Sequence, residues 1–129
     1  MYRTFIAFLI VAMLAVSFTG CINVDDYSLD MGYEIDSESL ELVGDTKLSY
    51  EFDDEVGEYA VMIEGYVKNI TAAPKNYSSV AFVIYDADGN TIGLAETYCY
   101  YLEAGATWRM CAIGYAPYEP HSYKLVSLK

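Results

Sequence analysis

From about Leu40 to the C-terminus, apolar and polar residues alternate along the chain with a period of two. Tyr59, Val61, Ile63, Gly65 and Val67 interleave with Ala60, Met62, Glu64, Tyr66 and Lys68, the signature of a half-buried strand. Val80, Phe82 and Ile84 alternate with Ala81, Val83 and Tyr85 in the next run. Asp86-Ala-Asp-Gly-Asn90 then supplies a turn, because Gly89 and Asn90 tolerate the left-handed backbone of tight hairpins. Ile92–Leu102 and Thr107–Tyr115 read as two strands around Glu103-Ala-Gly-Ala106. Tyr123–Leu128 reads as a last strand after the Pro117-Tyr-Glu-Pro120 break. Short strands with turns at this spacing predict an all-β, antiparallel sandwich or barrel over residues 41–129.

The N-terminal third follows a different pattern. Arg3 precedes an apolar run from Phe5 to Phe18, interrupted only by Ser17, and then comes Thr19-Gly20-Cys21. A positive start, an apolar stretch and a small-residue site predict an export signal over residues 1–20. The run is shorter than the roughly twenty apolar residues of a stable membrane-spanning helix. The alternatives are an ordinary cleaved signal that leaves Cys21 a spare thiol, or a retained anchor accommodated by tilt and bilayer thinning. The cysteine directly after the small pair resembles the lipobox of prokaryotic lipoproteins, with Phe18 where that family usually carries an aliphatic residue. The resemblance implies lipid on Cys21, attachment to the membrane through that lipid, and an extracytoplasmic location. Residues 21–40 show no clean period of 2 or 3.6, and their polarity predicts an acidic, flexible tether.

Charge narrows the partners. The 129-residue chain carries a formal net charge of −12 with only seven Lys and Arg, which argues against nucleic acid. Thirteen of its nineteen carboxylates lie between Asp25 and Glu58, where Lys47 is the sole cation.

At Phe82-Val-Ile-Tyr-Asp86 the chain resembles the FxLYD domain, with Ile84 in the Leu position. Glu64-Gly-Tyr-Val-Lys-Asn69 resembles the family's preceding strand, with its Gly-x-Val-x-Asn ending. Asp88-Gly-Asn90 resembles its Asp-Gly turn, and Leu102-Glu-Ala-Gly105 with Trp108 resembles its following hairpin. The resemblance covers about Glu58 to Tyr115 and implies an immunoglobulin-like β-sandwich in an exported protein, with no known reaction and no established ligand or cofactor. Read physically, Phe82 and Ile84 share the inner face, Tyr85 lies opposite, and Asp86 caps the turn. The motif is structural.

Cys99 and Cys111 come next. Exported thiols tend to oxidise, and a hairpin centred on Gly105 puts Leu102 opposite Trp108 and Cys99 opposite Cys111. That register predicts a cross-strand disulfide, although a slip of one residue destroys it. It also sends Tyr98 and Tyr100 to the core side and puts Tyr101 on the outer face with Cys99 and Arg109, making Tyr101 and Arg109 a candidate binding patch. The fourteen tyrosines favour this, since a rigid ring with a hydroxyl suits protein or glycan contact.

Other chemistry is sparse. Asn69-Ile-Thr71 and Asn76-Tyr-Ser78 are glycosylation sequons. An EF-hand loop starting at Asp86 needs Gly and Glu where Thr91 and Thr97 stand. Two thiols with one distant His121 are too few ligands for zinc, so no metal is expected. Two functions remain in view. The first is a non-catalytic, lipid-anchored cell-envelope protein that offers a β-sandwich surface to envelope proteins or polymers. The alternative is a small extracytoplasmic enzyme or metal-dependent module using His121 and carboxylates.

Overall fold

A computed structural model describes residues 33–129. The expected export signal, Cys21 and most of the expected acidic tether lie outside the described residues. Six strands follow in order: β1 Leu40–Asp53, β2 Glu58–Asn69, β3 Lys75–Tyr85, β4 Thr91–Leu102, β5 Thr107–Ala116 and β6 Ser122–Leu128. They form one antiparallel sheet in the order β1-β2-β5-β4-β3-β6. The links from β2 to β3 and from β5 to β6 each pass over two intervening strands, whereas the other three are hairpins.

The sheet curls on itself. Its two outermost strands touch where Thr46 Oγ1 on β1 and Tyr123 Oη on β6 share a 2.5 Å hydrogen bond. A flat six-stranded sheet would hold these strands far apart, at about 4.8 Å per strand step. The inner face collects Leu40, Val61, Ile63, Val67, Val80, Phe82, Ile84, Ala95, Met110 and Leu128 into one core. These are the alternate positions of their strands, so the period read from the sequence is the period that is buried. On β3 the burial runs without a break from Val80 to Ile84.

Close crossing of β4 and β5 depends on two glycines. A Cβ on Gly114 would meet the Leu94 carbonyl oxygen at 1.7 Å, and one on Gly93 would meet the Tyr115 carbonyl oxygen at 2.5 Å. Neither contact is sterically tolerable, so these backbones approach only because both residues lack a side chain.

The β-domain includes residues N-terminal to those the strand pattern predicts. Ile35 forms a parallel bridge with Leu128, Asp36 donates its N–H to the Leu128 carbonyl (2.7 Å), and Leu128 donates to Glu34 (2.8 Å). Residues 34–39, polar enough to read as tether, therefore strap the edge of β6. Backbone hydrogen bonds carry this strap, which is why no apolar period announces it.

Candidate functional site

Phe82, Ile84, Tyr85 and Asp86, with Asn69, sit at structural posts. Phe82 and Ile84 are buried in the core, and Phe82 meets the Tyr123 ring edge-on at a centroid distance of 5.6 Å. Asp86 Oδ1 accepts the backbone N–H groups of Asp88 and Asn90, both at 2.9 Å, and holds the β3–β4 turn. Tyr85 is half-buried, and that burial pushes its phenol above the usual range. Asn69 is fully buried, and its carbonyl oxygen accepts from the backbone N–H of Thr71 (3.0 Å) and from the Thr71 hydroxyl (2.7 Å). Its amide nitrogen donates to the carbonyls of Ala73 (2.9 Å) and Leu102 (3.0 Å). A glycan on Asn69 is incompatible with this packing. Asn76, at the second sequon, is exposed.

The cysteine pairing requires correction. Cys99 and Cys111 are both free thiols and lie on opposite faces of the sheet. Cys99 packs against the core, whereas Cys111 follows buried Met110 and precedes buried Ala112, so it points outward. The cause is Tyr101, the one non-glycine residue with positive φ (60°) among the described residues. It takes up one extra residue before Leu102, so stepping back from the buried Leu102 reverses the assignment of faces. Glu96 pairs with Ile113 and is accordingly one residue away from the register in which Cys99 would oppose Cys111.

The same shift overturns the expected burial of Tyr98 and Tyr100. They point outward at 58% and 72% exposure and join Tyr77, at 49%. The three rings form a cluster with centroids 5.4–5.9 Å apart, Tyr77 and Tyr98 lying nearly parallel at 25°. Tyr101 and Arg109 are exposed as expected, but Cys99 does not share their side.

Register extends this outer face across the sheet. Arg109 on β5 is paired with Tyr66 on β2, Cys111 with Glu64, Ile113 with Met62, and Tyr115 with Ala60. Tyr66, Met62, Ile113 and Tyr115 are all exposed. Small Ala60, flanked by Ser49, Glu51, Met62, Ile113 and Tyr115, forms the floor of a shallow trough of about 500 Å³. Cys111 Sγ lies 3.6 Å from Met62 Sδ beside it. Strand alternation carried a signal for these positions, since Met62, Glu64 and Tyr66 are the residues of β2 that skip the core. Their convergence with Tyr77 and Tyr98 depends on strand order, which no local pattern encodes.

His121 is exposed, and its backbone N–H donates to the Tyr85 carbonyl (2.8 Å). Among the described residues no group of three or more His, Cys, Asp and Glu side chains is placed to hold a metal ion. Two exposed acids are perturbed. The Ser39 hydroxyl hydrogen bond leads in holding Asp36 below the ordinary carboxylate range, and Glu119, accepting the Tyr50 hydroxyl at 2.5 Å, pushes that phenol up.

Fold and site together define an all-β domain built on one curled antiparallel sheet, with a tyrosine-rich outer face. No family model matches the chain, and no curated protein or solved structure matches it either.

Proposed function

We propose that this chain is an exported, non-catalytic protein of the cell envelope, held to the membrane by lipid on Cys21, whose outer sheet face binds an envelope protein or polymer. On this reading the curled sheet is a variant of the immunoglobulin-like sandwich that the FxLYD resemblance implies, and the acidic segment after Cys21 spaces the domain from the lipid. The observation that carries the proposal is the tyrosine cluster. Tyr77, Tyr98 and Tyr100 expose large rings side by side on strands whose opposite faces are buried, and Tyr66, Met62, Ile113 and Tyr115 continue the surface. Contiguous exposed apolar area of this kind marks interaction surfaces more often than it decorates a free one. Tyrosine supplies such contact at low entropic cost, having few rotatable bonds to freeze.

The test combines two measurements on protein from its native membrane. Intact mass should show lipid on a chain beginning at Cys21. Whole-cell cross-linking through a photoreactive residue at Ser79, in register with Tyr98, should yield a discrete adduct. That adduct should disappear in the Tyr98→Ala/Tyr100→Ala double variant at an unchanged unfolding midpoint. An unlipidated chain, or an adduct indifferent to both tyrosines, would defeat the reading.

A further inference from the structure

The seam where the sheet curls to meet itself is a separate feature from the tyrosine face. Among the described residues β1 is paired only with β2, and β6 is paired with β3 and, through Leu128, with Ile35. The two edge strands share no backbone ladder. Side-chain hydrogen bonds cross the gap, from Thr46 to Tyr123 and from Tyr50 on β1 to Glu119 just before β6.

Beside that gap, β1 keeps an unbroken register with β2 from Lys47 to Asp53, about the length of an ordinary strand. It contains no proline, which would block an incoming partner. Tyr50 and Phe52 are opposite Val61 and Tyr59, so both belong to the core side of the sheet. They are nevertheless 40% and 48% exposed. Each meets the Tyr59 ring edge-on, at 5.9 and 5.2 Å, and across the seam Glu119 accepts the Tyr50 hydroxyl. Inward-facing aromatic rings this exposed, next to a strand edge unpaired among the described residues, mark a place where one more strand would complete the core.

Charge selects what that strand would be. Glu51, Asp53, Asp54, Glu55 and Glu58 surround this end of β1, Glu119 borders it from the other side, and no Lys or Arg occurs between Lys47 and Lys68. A second copy of the chain would bring the same carboxylates and a net charge of −12 against them. We propose that the β1–β6 seam binds an extended, lysine- or arginine-rich peptide, which adds a strand to the edge of β1. Alternate apolar side chains of the peptide cover Tyr50 and Phe52, and its cations meet Glu51, Asp53 and Glu119. Glu119 then exchanges the Tyr50 hydroxyl for a peptide cation.

The experiment titrates the full chain, in detergent, with a synthetic peptide of alternating valine and lysine. The control is the same peptide with N-methylated valines, which keeps charge and apolar surface but loses backbone donors. Calorimetry should give about tenfold weaker binding for the methylated peptide, as losing one or two net hydrogen bonds implies. Amide exchange should slow over Lys47–Asp53. Glu119→Gln should weaken binding about threefold or more, the scale of one partly exposed charge pair. Tyr98→Ala/Tyr100→Ala should leave it unchanged, which separates this seam from the outer face. Equal binding of both peptides, or protection elsewhere in the sheet, would overturn the proposal. So would a peptide-free dimer protecting the same amides, because it would assign the seam to a second copy.

Discussion

The side-chain amide of Asn69 donates to the backbone carbonyl of Leu102 across 3.0 Å, joining the end of β2 to the end of β4 over a sequence separation of 33 residues. Around it, the Asn69 N–H donates to Ala106 and the Asn69 carbonyl accepts from Gly105. One buried asparagine therefore ties β2 to the β4–β5 turn, and its side chain also closes the following loop through Thr71 and Ala73. This gives a physical reason for the company kept by two short patterns, the Asn at the end of Gly-Tyr-Val-Lys-Asn69 and the later Leu102-Glu-Ala-Gly105.

Asn69→Ala should therefore destabilise the domain by about 2–3 kcal/mol or more. It strands a buried carbonyl at Leu102 and the Thr71 N–H, and each unpaired buried group costs about 1–3 kcal/mol. Urea unfolding would read this as a lower midpoint at unchanged slope. A stability equal to that of the parent would contradict the buried network.

Glycine substitutions should divide by mechanism. Gly114→Ala drives a methyl into the Leu94 carbonyl and should cost at least the 1–3 kcal/mol typical of overpacking, since the obstacle is backbone. Gly89→Ala meets open space but keeps φ at +86°, and should cost only about 1–2 kcal/mol. Thermal melts of the two variants should rank Gly114→Ala as the more damaging.

Both thiols should alkylate. Peptide mapping of unreduced protein should find Cys99 and Cys111 separately modified by iodoacetamide, Cys111 faster because it faces out while Cys99 packs against the core. A linked Cys99–Cys111 peptide would require β4 to pair with β5 one residue out of register.

Acid should loosen the N-terminal strap first. Because the Asp36 carboxyl titrates below its unfolded value, its stabilising contribution is complete above the ordinary carboxylate pKa of about 4. It is lost as pH falls through the lower folded value. Amide exchange at Asp36 and Leu128 should accelerate over that window, and Asp36→Asn should flatten the dependence. Retention of the full pH response in Asp36→Asn would assign it to another group.

Much of the architecture follows from local rules that the chain states openly. Val61, Ile63 and Val67, then Val80, Phe82 and Ile84, reveal both strand and inward face, because a period of two can bury only one set. Asp86 and Gly89 declare their turn by side-chain hydrogen bonding and by tolerance of positive φ. These are near-neighbour effects, complete within a few residues.

Tertiary structure decided what depends on one residue's conformation or on distant neighbours. A single left-handed residue, Tyr101, reversed the faces of Cys99, Tyr98 and Tyr100, since one extra residue inverts every side chain beyond it. Burial of Asn69 and exposure of Tyr50 and Phe52 likewise came from which strands lie beside them in the curled sheet. Alternation specifies that a strand has two faces. Only the paired neighbours determine which side chains become core, which become surface, and which edge stays open.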